Sequence, residues 1–290
     1  MENTHVKIYK GKGLKLHKTE KKNMKVFVFD LDETIGHFSE IYILFQFIEI
    51  LEKQKNCTFF QSEKECLFYL LDLFPEVFRY GIDVIFTYLR KKQLNSLTSV
   101  YIYTNNTCVP ITWTTYLSEY IEEKWNIAGL FTNIVRAFKI NGKILENKRT
   151  TGEKTYYDFL HCVQLPKKTE LCFIDNTEYT EMKHRYVYYL QPKPFYIDLS
   201  RLTIINIFFD NFQKKCDNTI DLRDEINNYY KEKNYNITDV SKSNENKTID
   251  INISKKILQC IQKFYKYKLV KIHTRKKRSS VKNQTLKKRS

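Results

Sequence analysis

The chain has 290 residues, of which 42% are hydrophobic, enough for one sizeable α/β domain plus an appendage. Its 7 glycines and 5 prolines exclude collagenous and low-complexity classes. The formal net charge of +16 admits a nucleic-acid or acidic partner, while joint enrichment in Lys, Asn, Ile and Tyr reads equally well as compositional bias. The 7 cysteines are scattered without a Cys-x-x-Cys, an odd number that implies free thiols in a reducing compartment, and the 6 histidines do not join them at zinc-ligand spacing. The basic N-terminus has no apolar h-region, and the greasiest stretch, Ile41 to Leu51, is broken by Gln46 and Glu49 and is too short for a bilayer. These features lead us to expect a soluble, intracellular protein with no membrane association.

Residues 1–24 read as a lysine-rich extended arm with a short edge strand at Val6 to Tyr9. Gly11-Lys12-Gly13 is no phosphate loop, since no strand precedes it and the Lys-Ser/Thr ending is missing. Lys25 to Asp30 follows, an apolar run of β-branched and aromatic residues that predicts a strand buried on both faces of a parallel sheet. It runs into Asp30-Leu31-Asp32-Glu33-Thr34, placing two carboxylates at the sheet edge where open α/β folds bind ligands. Such a pair repels unless a cation, usually a metal, lies beside it.

Residues 38–98 carry helical periodicity (Ile41, Leu44, Phe45, Ile48; then Leu67, Leu70, Leu71; then Val84, Ile85, Tyr88), punctuated by Pro75 and Gly81. Ser99 to Tyr103 predicts a second strand, ending in Thr104-Asn105-Asn106 at the same edge as Asp30. Trp113 to Trp125 predicts an amphipathic helix, Ile134 to Phe138 a strand, and Asn141-Gly142 a hairpin turn. Lys154 stands near the start of a helix over residues 156–162. Leu171 to Ile174 predicts a third strand, again stopped by an acid, Asp175-Asn176, and Tyr186 to Leu190 a fourth. The strand–helix alternation implies mainly parallel strands. From about residue 213 the chain turns polar, with a helix at 221–231, a linker at 234–247, a short amphipathic helix at 253–267 and a tail, 266–290, rich in Lys and Arg without an acidic residue.

The Asp-x-Asp-x-Thr after a hydrophobic strand resembles the first motif of the haloacid dehalogenase (HAD) phosphatase superfamily, and Asp-Leu-Asp-Glu-Thr is most similar to its CTD-phosphatase and NLI-interacting-factor-like branch. Tyr103-Thr104-Asn105-Asn106, Lys154-Thr155-x-x-Asp158-Phe159 and Phe173-Ile174-Asp175 also look similar to HAD-type hydrolases encoded by large DNA viruses. The resemblance spans roughly residues 24–200. It implies a HAD-like Rossmannoid three-layer sandwich over 25–212, with 38–98 as a helical cap-like insertion that helps select substrate, and 213–290 as an extension.

For the site, the resemblance implies that Asp30 attacks phosphorus to give an aspartyl-phosphate, with Asp32 as general acid and base. Thr104 and Lys154 would complete the catalytic set, Thr34, Thr104, Asn105 and Lys154 would bind phosphate and substrate, and Asp30, the Asp32 carbonyl and Asp175 would hold Mg²⁺. Lys148 and Lys139 compete with Lys154 for the lysine role. The family expectation for substrate is a phosphoserine or phosphothreonine of a protein. A small metabolite or a nucleic-acid 3′-phosphate keeps the chemistry, and a vestigial, nucleic-acid-tethered scaffold is the third reading, motivated by the basic tail. The chain departs from CTD phosphatases in Thr-Asn where they usually have Thr-Ala, in the spacing of the lysine and in the size of the insertion.

Overall fold

The computed structural model describes residues 5–18, 23–216, 221–235 and 244–269. In chain order, β1 (Val6–Lys10), β2 (Leu14–Leu16) and β3 (Lys25–Phe29) come first. Next are α1 (Ser39–Lys55), α2 (Glu63–Leu73), α3 (Ile82–Asn95) and β4 (Thr98–Tyr103). They are followed by α4 (Trp113–Lys124), β5 (Phe131–Val135), β6 (Lys139–Ile140), β7 (Lys143–Ile144) and α5 (Tyr156–Cys162). The chain closes with β8 (Leu171–Ile174), β9 (Val187–Pro192), α6 (Arg201–Phe212), α7 (Leu222–Glu232), α8 (Asn244–Phe264) and β10 (Tyr267–Leu269).

The main sheet has the order β1-β9-β8-β3-β4-β5 and is parallel throughout except for β1, which pairs antiparallel with β9 at the edge. β3 is wholly buried because it lies at the centre of a sheet covered on both sides. The pleat sends alternate residues to opposite faces. Phe27, Phe29, Val100, Ile102, Cys172 and Ile174 enter one large core with residues of α1–α4 and α6–α8. Val26, Val28, Tyr101, Tyr103, Leu171 and Phe173 enter a smaller core beneath α5. The chain therefore forms the expected α/β three-layer sandwich. It runs from β3 outward to β4 and β5, then returns to the other side of β3 as β8 and β9. Crossovers of one hand must change face when they change direction, which puts α5 opposite α3 and α4.

The stretch 38–98 is helical, as its periodicity predicts, with a turn opened by Pro75 and with Gly81 at φ 76° before α3. α3 packs on β4 as a crossover helix, while α1 and α2 pack on each other and against α7 and α4. Residues beyond 213 join the same core through Ile226, Tyr230, Ile257, Ile261 and Phe264, and β10 pairs antiparallel with β2. That pairing joins residues some 250 positions apart, so local pattern could not announce it. α8 also starts earlier than the predicted helix, and β5 lies three residues before the predicted strand. Phe131 to Val135 is an edge strand with Thr132 and Asn133 exposed, so it lacks the apolar run of the central strands. The Asn141-Gly142 hairpin is present, with φ of 50° and 78°.

All seven cysteines are free. No helix among the described residues is long and apolar enough to cross a membrane. The basic tail beyond residue 269, the first four residues and most of the predicted linker lie outside the described residues.

Candidate active site

Asp30, Thr104 and Asp175 each stand one residue past a parallel strand, β3, β4 and β8, held by main-chain bonds. The Asp30 amide donates to the Ile174 carbonyl at 2.9 Å, that of Thr104 to Val135 at 3.0 Å and that of Asp175 to Leu190 at 3.1 Å. Because β3 and β8 flank the point where strand order reverses, the two carboxylates meet at the crevice of the sheet. Lys154 reaches them from the other helical layer. It directly precedes Thr155, whose hydroxyl caps α5 by accepting from the Asp158 amide at 3.0 Å. Its ammonium contacts Asp30 Oδ1 and lies 2.7 Å from Asp175 Oδ2, with the lysine side chain 1% exposed. Between the lysine candidates the geometry is selective, since it is the Lys154 ammonium that meets Asp30 and Asp175, while Lys139 is exposed on the β6–β7 hairpin.

Electrostatics follow from this crowding. Burial, reinforced by the neighbouring Asp30, pushes the Asp32 carboxyl up to about 6, opposed by donation from Asn106 Nδ2 at 3.0 and 3.3 Å. Burial also raises Asp175, against the pull of Lys154. For Lys154 burial acts against the charge, but Asp175 and Asp30 overcome it and hold the ammonium above the ordinary lysine range.

The loop after Asp30 is pinned from several sides. Thr34 is buried; its hydroxyl donates to Asn176 Oδ1 at 2.8 Å and accepts from the Asn176 amide at 3.0 Å. It thus ties the β3 and β8 loops together, and like Thr104 and Lys154 it lies outside the cavity lining. Arg79, fully buried between α2 and α3, donates to the carbonyls of Thr34 and Glu33 at 2.6 Å each and to that of Lys193 at 3.0 Å. Gly36 lets the loop return: a Cβ there would sit 2.6 Å from the Val77 carbonyl oxygen. Glu33 takes a φ of 59°, and its carboxylate accepts from Asn176 Nδ2 at 3.1 Å.

On the β4 side, the Thr104 hydroxyl accepts from the Asn106 amide at 2.9 Å and lies just beneath the cavity surface. Asn105 is held between Arg149, which donates to its Oδ1 at 2.8 Å, and Tyr179, which accepts from its Nδ2 at 3.2 Å. Arg149 also donates to the carbonyls of Thr104, Gly152 and Glu153, clamping this loop to the one that carries Lys154. Asn106 was placed at this edge from sequence without a role of its own, and Arg79 and Arg149 were not singled out. Asn106 had a signal, since it continues the polar run after the second strand, whereas nothing local marks either arginine.

Above these residues opens a cavity of about 590 Å³, lined by Asp30, Asp32, Asn105 and Asn106 at its floor and by residues of α1 at its wall. Among the described residues no three His, Cys, Asp or Glu side chains converge as a ready metal cluster. Two carboxylates, Asp30 and Asp175, nevertheless meet at one buried position, where both contact the Lys154 ammonium. Mg²⁺ characteristically takes one or two carboxylates and fills its other positions with water and phosphate, so this carboxylate pair suits it.

The fold and site together define an α/β protein with an acid–lysine centre at the switch point of a parallel sheet. Structures similar to it include a HAD-superfamily hydrolase of subfamily IA from Geobacter sulfurreducens PCA, 13% identical over 54% of this chain and 82% of that one, with a TM-score of 0.31. A proposed beta-phosphoglucomutase from Thermotoga maritima is 11% identical over 57% of this chain and 84% of its own, with a TM-score of 0.32. No protein-family model and no curated protein sequence matches the chain.

Proposed function

We propose that the chain is a Mg²⁺-dependent phosphatase that cleaves phosphomonoesters through a phosphoryl-enzyme on Asp30. The observation that carries this reading is the Asp30–Lys154–Asp175 contact at the sheet mouth, with Asp32 beside it beneath an open cavity. Asp30 attacks phosphorus while the ester P–O bond breaks, and Asp32 gives its proton to the departing oxygen. Water then attacks the same phosphorus as Asp32 takes the proton back, and inorganic phosphate leaves Asp30. The raised proton affinity of Asp32 suits both transfers. Lys154 neutralises charge on Asp30 and the phosphoryl group, and the Thr104 hydroxyl, which accepts from Asn106, keeps its own proton to donate. Asp30, Asp175 and the Asp32 carbonyl would hold Mg²⁺, which supplies further charge neutralisation to a phosphoryl oxygen.

The finer reading is a phosphoserine or phosphothreonine of a protein, which rests on the likeness of Asp-Leu-Asp-Glu-Thr to the CTD phosphatases. A small phosphomonoester is the second reading, favoured by a cavity that α1 walls in with Ser39, Tyr42 and Ile43. A generic aryl phosphate, assayed with and without Mg²⁺ for wild type and Asp30→Asn, tests the chemistry. Turnover that needs the metal and disappears in the variant is expected; no metal-dependent turnover above background overturns the reading. A panel of phosphopeptides and small phosphate esters then ranks the two substrate classes.

A further inference from the structure

The cavity wall has a composition at odds with the chain that builds it. The chain carries a net charge of +16, yet among the described residues that line the cavity there is no Lys or Arg, and His37 is the basic side chain. The wall beyond the floor is aromatic, with Phe38, Tyr42, Tyr179 and Tyr235, and its charged member is Glu33. Glu33 is answered by neutral groups: the Asn176 amide at 3.1 Å and the Tyr196 hydroxyl at 3.5 Å. No ion pair joins it to a cation among the described residues. The guanidiniums around the site are spent elsewhere, Arg79 on main-chain carbonyls under the loop, Arg149 on carbonyls and Asn105, and Arg201 on Glu40.

Charge at the floor points the same way. Asp30 and Asp175 share one ammonium, that of Lys154, while Asp32 and Glu33 stand beside them at the cavity, so carboxylates outnumber cations among the described residues of the site. A phosphate group brings its own compensation through Lys154 and the metal position; a second anionic group on the substrate meets no Lys or Arg among the described lining residues. Tyr179 already faces the Lys154 ammonium and Tyr235 the Arg201 guanidinium, but a ligand cation beside Glu33 is attracted by its carboxylate and by the rings of Phe38 and Tyr42. A basic cleft lined by His5, Lys7 and Lys193 does exist nearby, but it shares only Asn176 with this cavity.

We infer that the site selects phosphomonoesters by the charge of the leaving group. It accepts a group with no further anionic charge and prefers one that bears an amine cation to set against Glu33 and the aromatic wall. This deepens the phosphatase reading and rests on it for the position of the phosphate, so the test is made by binding, separately from turnover. The probes are two non-hydrolysable phosphonates of one shape, 4-(aminomethyl)benzylphosphonate and 4-carboxybenzylphosphonate, titrated calorimetrically into the full chain with Mg²⁺ at low salt. The amine is expected to bind at least tenfold more tightly. Glu33→Gln, whose amide oxygen can still accept from Asn176, is expected to compress that ratio to about threefold or less, and 0.5 M salt to reduce it in wild type. Equal affinities, a preference for the carboxylate, no binding of either probe, or a ratio unchanged in Glu33→Gln would each overturn the inference. Hydrolysis of neutral aryl phosphate without charge discrimination would leave the phosphatase reading standing and remove this one.

Discussion

β3 carries a buried lysine–carboxylate cluster at each end, and the two behave oppositely. At its start, Lys25 Nζ lies 2.6 Å from Glu170 Oε2 and 2.5 Å from the Tyr267 carbonyl, and Asn23 donates to the other Glu170 oxygen at 3.0 Å. One cation faces one anion, and β10 closes over them. At its finish, Lys154 faces two carboxylates, a third stands nearby, and the cluster underlies a cavity. Burial wins at Lys25 and lowers its proton affinity despite Glu170, whereas two carboxylates win at Lys154 and raise it despite burial. Both lysines are 1% exposed, so burial alone does not mark a functional lysine. Surplus charge and access to a cavity do.

The comparison breaks most sharply at Asp30. Asp30→Asn keeps the shape and removes the attacking oxygen, and should lower turnover of an aryl phosphate at least about 10⁴-fold, with thermal unfolding little changed. Withdrawing divalent cations with a chelator should match that loss, and adding Mg²⁺ back should restore activity in wild type alone. Lys154→Met comes next, with an expected loss on the order of 10²–10³-fold in kcat, the scale of one charged stabiliser in a desolvated site. If Lys154→Met cost stability but left kcat within a few-fold of wild type, the contrast between the two ends of β3 would collapse.

How much of this could be read from residues alone varies with the range of the contact. The central strands and their acidic ends were legible because a sheet buried on both faces writes itself as an apolar run, and a run that stops at Asp30, Asp175 or Thr104 names its own edge. Lys154 was legible as a candidate and only the fold separates it from Lys148 and Lys139, since strand ends far apart in sequence converge at the switch point. Arg79 and Arg149 were not legible at all. Each acts through main-chain carbonyls, and a carbonyl places no requirement on residue type at the accepting position. Thr34 was legible as part of the motif but not in its place, because its partner Asn176 lies 142 residues away.

The smallest effects belong to the sealed end. Lys25→Met leaves the Glu170 carboxylate buried without its ammonium, and should cost about 3–5 kcal/mol of stability by denaturant titration while kcat of the folded fraction stays within a few-fold. Met also fills the space over Phe264, whose ring centroid lies 4.7 Å from the ammonium, so the loss would reflect charge rather than a void. The decisive variant is then Lys25→Met with Glu170→Met. A balanced, enclosed ion pair gains by attraction about what it loses by desolvation, so replacing both members by apolar groups should return the protein to within about 1–2 kcal/mol of wild type. The same operation at the other end, Lys154→Met with Asp175→Met, cannot restore function, because there the charges act on a substrate and not on each other. Recovery of stability in the first pair beside continued loss of turnover in the second would show that the two clusters, alike in burial and residue type, differ in what their charge is for.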